Sequence, residues 1–85
     1  MIEQDVIRMT NEVFVDSFEI AGDKLTPQAN IFNDLGLDSL DIVDLVVALQ
    51  KKFGIIIRSD ERVRDIRTLG DIYQFILTIK KELEK

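Results

Sequence analysis

A chain of 85 residues with 46% apolar side chains and a net charge of −5 has room for one small domain, spanning 1–85, around one core. It contains no histidine and no cysteine, which excludes Ser-His-Asp catalysis, imidazole or thiolate metal sites, and disulfides. No apolar run approaches the ~20 residues that span a bilayer, and the N-terminus lacks a signal-peptide pattern, so the expectation is a monomeric, cytoplasmic domain away from membranes.

The charge is unevenly spread. Residues 1–50 sum to −8 and residues 51–85 to +3. An acidic first half disfavours nucleic acid and favours basic protein surfaces. The Lys and Arg of the second half are scattered, with no interleaved aromatics, and do not make a nucleic-acid stripe either.

From Glu3 to about Ser17, the residues Ile2, Val6, Ile7, Met9, Val13 and Phe14 fall on one helical face, with Val15 opposite and exposed. Periodicity is then lost from Phe18 to Leu37, where Gly22, Pro27, Asn30 and Gly36 punctuate the chain. A connection of that length must be tied down by its own side chains, and Leu25, Ile31, Phe32, Leu35 and Leu37 are the candidate pins.

A second helix is expected from about Ser39 to Phe53. Asp38 is placed to cap it, and Asp41, three residues on, to complete a capping-box-like exchange. Ser39 then occupies the first turn, where backbone N–H groups lack helical partners and the dipole is positive, so a phosphate is welcome there. Nothing nearby could take the serine proton. The position suits attachment of a phosphate better than nucleophilic catalysis.

This helix carries two apolar stripes. Ile42, Leu45, Val46, Leu49 and Phe53 cluster on one face, and Leu40, Val43 and Val47 form a second cluster about 130° away. The second is either covered by the last helix or the long loop, or exposed beside acids as a docking stripe. Asp38, Asp41 and Asp44 read as a solvated acidic face. They have no cleft or base for catalysis, and their spacing is not that of a calcium loop.

Gly54 should end the helix, with Lys51 and Lys52 in its last turn. Ile55, Ile56 and Ile57 read as an extended segment dipping into the core. Ser59 or Asp60 starts a short helix to about Arg64, and Thr68 with Asp71 caps a last helix from Leu69 to Leu83. On it Leu69, Ile72, Ile76, Ile79 and Leu83 face the core, with Tyr73 flanking. The expected fold is all-α: a small four-helix bundle, three helices longer and one short, with a long loop between the first two.

The run Asp34-Leu35-Gly36-x-Asp38-Ser39-Leu40-Asp41-x-Val43-Asp44-Leu45 resembles the attachment signature of the acyl carrier proteins, and the similarity extends from about Ile31 to Ile76. The resemblance implies that a phosphopantetheinyl transferase loads Ser39, between Asp38 and Leu40, with 4′-phosphopantetheine from coenzyme A. The arm's thiol then carries acyl groups as thioesters for fatty-acid, lipid or polyketide-type synthesis. The chain itself would be non-catalytic and would need no metal. Leu40, Asp41, Val43, Asp44 and Val47 would meet partners such as acyl synthetases, ketosynthases and acyltransferases. An acyl chain would shelter between the second and third helices against Val46, Leu49, Phe53, Ile57 and Ile66, residues that serve equally well as plain core.

One feature departs from the family pattern. Arg58, Arg62, Arg64 and Arg67, with Lys51 and Lys52, make basic a region that is usually acidic. Either they pair with the acidic half, or they retune the carrier for different partners. Alternative readings are a D-alanyl or peptidyl type of carrier, and a helical adaptor without a prosthetic group.

Overall fold

The computed structural model describes residues 3–57 and 61–83. The described residues form three α-helices, α1 (Glu3–Phe18), α2 (Ser39–Phe53) and α3 (Leu69–Leu83). Two 3-10 turns, Gly22–Lys24 and Glu61–Asp65, interrupt the connections. Among the described residues there is no strand, only an isolated antiparallel bridge between Asn30 and Thr68. α1 packs against both α2 and α3.

The apolar spacing predicted from sequence accounts for the core. Val6, Val13 and Phe14 of α1 meet Leu45, Leu49 and Phe53 of α2 in one buried cluster with Leu69, Ile72 and Ile76 of α3. Fully burying such a side chain is worth roughly 1.5–3 kcal/mol. Three details differ from the sequence reading. Leu83 is exposed, because its periodicity continues into the last turn of α3 where no described residue covers it. Phe75 and Ala29 are buried although neither was assigned to the core. The fourth, short helix is a 3-10 turn over Glu61–Asp65. Its expected start at Ser59 or Asp60, and the expected contributions of Ile2 and Arg58, lie outside the described residues.

The long connection is held by hydrogen bonds as well as by its apolar pins. Ile31, Leu35 and Leu37 are buried, while Leu25 and Phe32 pack half-buried against the cluster. Asn30 Oδ1 accepts from the backbone N–H of Phe32 and of Asn33, and Asp34 Oδ2 accepts from the N–H of Asn30. These Asx-type bonds shape the turn that leads to Gly36, whose φ of +78° suits glycine.

The same loop caps α3. The N–H of Leu69 donates to the Ala29 carbonyl and that of Gly70 to the Pro27 carbonyl, each at 2.9 Å. Two first-turn donors that the helix leaves over thus find loop acceptors. A Cβ on Gly70 would lie 3.0 Å from the Pro27 oxygen, so any larger residue would press on the Pro27 backbone and the close approach favours a glycine. Thr68 and Asp71 complete the cap: the Asp71 N–H donates to Thr68 Oγ1, and the Thr68 N–H donates to Asp71 Oδ2. The loop preceding α2 is therefore fastened to the start of α3.

Candidate functional site

The candidate site is the loop-to-helix junction at Asp38 and Ser39. Asp38 is extended (φ −117°, ψ −177°), and its Oδ1 accepts from the N–H of Leu40 at 2.9 Å and of Asp41 at 3.0 Å. Asp41 Oδ2 returns the bond by accepting from the Asp38 N–H at 3.0 Å. This is a complete capping box, and it fixes where the helix begins. Ser39 is the first helical residue and lies exposed.

The capping box refines the electrostatic picture. The N–H groups of Leu40 and Asp41 are taken by the Asp38 carboxylate, so they are not waiting for a phosphate. A phosphodiester on Ser39 would feel the positive end of the helix dipole while projecting from an exposed serine into solvent. These residues fit a tethered, swinging group: a rigid anchor beneath, open space around, and no cradle to grip the arm.

The remaining predicted residues divide by burial. Leu40, Val43 and Val47 are 78%, 64% and 42% exposed, so neither α3 nor the long loop covers them. Asp44 is also exposed, and Asp41 is partly covered. On the other side, Leu49, Phe53, Ile57 and Ile66 are buried in the core cluster, and Val46 packs against it half-buried. Ile55 and Ile57 point inward while Ile56 is 71% exposed, as an extended segment dipping into the core requires. Its register is held by Gln50, whose Oε1 accepts from the Ile57 N–H at 2.7 Å. Gly54 ends α2 in the left-handed region at φ 64°.

Sequence reasoning missed a groove of about 580 Å³ between α1 and α2. Val13, Phe18 and Ala48 contribute its apolar lining, and Asp16, Asp44 and Lys51 its charges. Val47 lines it too, so the exposed stripe of α2 runs into this groove. A shared stripe is visible in sequence only when both helices and their relative placement are known.

The basic residues are partly engaged. Lys52 Nζ lies 2.6 Å from Glu12 Oε2 across the α1–α2 contact, and Glu12 also accepts from Arg8. The hydrogen bond from Lys52 is the main cause that holds the Glu12 carboxyl below its usual range. Arg67 donates to the carbonyls of Arg64 and Ile66. Lys51 and Arg64 are exposed, and the side chain of Arg62 lies outside the description. No group of three or more carboxylates is placed to hold a metal ion among the described residues.

A family model for the phosphopantetheine attachment site matches residues 12–76. The chain belongs to the acyl carrier proteins. It is 34% identical over 76 residues to the acyl carrier protein of Lactobacillus acidophilus, covering 89% of this chain and 94% of that protein. The solved acyl carrier protein from Enterococcus faecalis, described as highly thermally stable, matches with a TM-score of 0.72 at 32% identity. That match covers 93% of this chain and 99% of the other. The carrier's prosthetic group is therefore 4′-phosphopantetheine, and its function is to carry acyl groups on that arm. No described helix is long and apolar enough to cross a membrane.

Proposed function

We propose that Ser39 is the attachment point and that its neighbours on α2 are the surface partners read. The observation that carries this reading is the exposed serine held at the first position of a capped helix. In the loading step the Ser39 hydroxyl attacks the pyrophosphate of coenzyme A, forming a phosphodiester and releasing adenosine 3′,5′-bisphosphate. The transferase supplies the base, since this chain has no histidine. The bound arm supplies the thiol that a cysteine-free chain lacks.

Leu40, Val43 and Val47, flanked by Asp41 and Asp44, form the docking stripe. A few exposed apolar groups beside carboxylates suit transient contact with basic enzyme surfaces, because long-range charge speeds encounter while the small buried area permits release. The carrier acts without catalytic residues of its own and works in the cytoplasm as a monomer. Its partners are the transferase and enzymes of the acyl synthetase, ketosynthase or acyltransferase kind.

An acyl chain would enter the seam between α2 and α3 and displace packing around Val46, Leu49, Phe53, Ile57 and Ile66. Four of these are buried in the core cluster, so the surroundings such a chain would meet are apolar. Exposed Lys51 and Arg64 distinguish this carrier's second half and suit a specialised set of partners. Lys52, tied to Glu12, adds less to that distinction.

The test is intact mass after incubation with coenzyme A, Mg²⁺ and a transferase. The wild type should gain one phosphopantetheine and Ser39→Ala none; an equal gain by both would refute the assignment.

A further inference from the structure

Thr10 is the one buried polar side chain among the described residues. It lies one turn from Val6 and one turn from Phe14 on α1, and all three are fully buried. Its hydroxyl has no hydrogen-bond partner among the described residues. Thr78 on α3 shows the ordinary arrangement, its Oγ1 donating to the Gln74 carbonyl one turn back at 2.8 Å. Thr10 makes no such bond to the Val6 carbonyl. The neighbouring Asn11 is engaged elsewhere, as the acceptor for the Tyr73 hydroxyl. A hydroxyl in an apolar core without a partner opposes folding, and each such group calls for a reason.

Its place in the fold suggests one. α1 packs against both α2 and α3, and Val6 and Phe14, one turn either side of Thr10, belong to the core cluster that joins the three helices. Glu12 pairs with Lys52, while Phe18 shares a groove with Asp44. The two helices therefore run antiparallel, and Thr10 lies level with the C-terminal end of α2. That is about 20 Å along the helix from Ser39.

We propose that Thr10 is a recognition point for cargo, its hydroxyl pairing with an oxygen substituent on the acyl chain remote from the thioester. The ligand class is thus an acyl chain bearing a hydroxyl or keto group towards its far end. This rests on the reading that the chain hangs from Ser39 and enters the α2–α3 seam. A plain saturated chain leaves Thr10 unpaired, and an oxygenated chain would be costly to bury without Thr10; each polar group supplies what the other lacks.

The test uses the full chain loaded on Ser39 with three cargoes: dodecanoyl, dodecanoyl hydroxylated beside the thioester, and dodecanoyl hydroxylated towards its far end. Wild type, Thr10→Val and Thr10→Ser are compared by thermal unfolding, after intact mass has established loading. Unloaded Thr10→Val should melt no lower than wild type, because it keeps the shape and removes the unpaired hydroxyl. In wild type the far-end hydroxyl should raise the Tm above that with dodecanoyl by about 4–8 °C, the size of one net hydrogen bond in a domain of this length. Thr10→Val should abolish or reverse that difference, and Thr10→Ser should restore it.

A far-end effect that is absent from wild type or unchanged in Thr10→Val would overturn the proposal. So would an unloaded Thr10→Val less stable than wild type, or an equal Thr10 dependence with the near-thioester hydroxyl. No mass gain at Ser39 would overturn the attachment reading itself, and this inference with it.

Discussion

Leu49 and Val43 sit six residues apart on α2, both aliphatic, yet Leu49 is 2% exposed and Val43 is 64% exposed. The face around Leu45, Leu49 and Phe53 is closed over by the core cluster. Among the described residues, the face around Leu40, Val43 and Val47 meets only solvent and the rim of a groove. A helix in a small domain needs one apolar stripe to fold, so a second is free for partners. In α2 the two faces are separated by rotation about one axis, and Ser39 begins the helix that both share.

The contrast predicts a graded set of outcomes. Leu49→Ala should cost about 2–5 kcal/mol in thermal or urea unfolding, since truncating a closed site leaves a cavity. A cost under 1 kcal/mol would mean that this face is loosely packed.

Asp38→Ala comes next. It removes the acceptor for two N–H groups and should cost roughly 0.5–2 kcal/mol. The same change should slow loading, because the helix start beneath Ser39 frays; unchanged loading would separate the cap from the site.

Val43→Ala should cost less than ~1 kcal/mol while lowering the kcat/KM of loading or acyl transfer. A loss of stability matching that of Leu49→Ala would erase the distinction between the faces.

A smaller effect is expected in acid. The backbone N–H of Arg67, and then that of Thr68, hold the Asp71 carboxyl below its usual value of 3.8. A lowered carboxylate pKa stabilises the fold above the unfolded value, and that contribution is lost as pH falls through and below it. The Tm should therefore decline below pH 3.8, and Asp71→Asn should decline less steeply. Because Asp71 is exposed, screening keeps the difference small.

The smallest predicted effect is that of added salt or Mg²⁺ on the Tm of the wild type. The +3 of residues 51–85 offsets part of the −8 of residues 1–50, and the Lys52–Glu12 pair brings opposite charges together. Lys51→Glu with Arg64→Glu should make melting more salt-dependent and should speed association with enzymes that present basic surfaces.

Much of this was legible in the sequence because it is written locally. The bounds of α2, both capping boxes and the glycine at its C-terminus depend on residues three or four apart, and they appear where the spacing placed them. The two stripes of α2 were equally visible, but periodicity gives an angle and not what lies across it. Exposure of Val43 depends on where α1 and α3 pack. Leu83 illustrates the same limit at a helix end, where the pattern outruns its neighbours.

The bonds from α3 to Ala29 and Pro27 left no trace in the sequence because they join backbone groups. Thr10 was overlooked for a different reason: a search for apolar residues passes over a threonine, although its position midway between Val6 and Phe14 put it in the buried row. At the candidate site, the cap beside Ser39 was legible; the groove formed by Phe18, Asp44 and Val47 required the helices to be placed.

The central claim is that the arm hangs from the serine at the start of α2. Peptide mapping of the loaded protein by tandem mass spectrometry tests it most directly. The account predicts phosphopantetheine on the peptide containing Ser39, localised to that hydroxyl. Phosphopantetheine on Ser17, on Ser59 or on any threonine, or its absence after treatment with an active transferase, would contradict it.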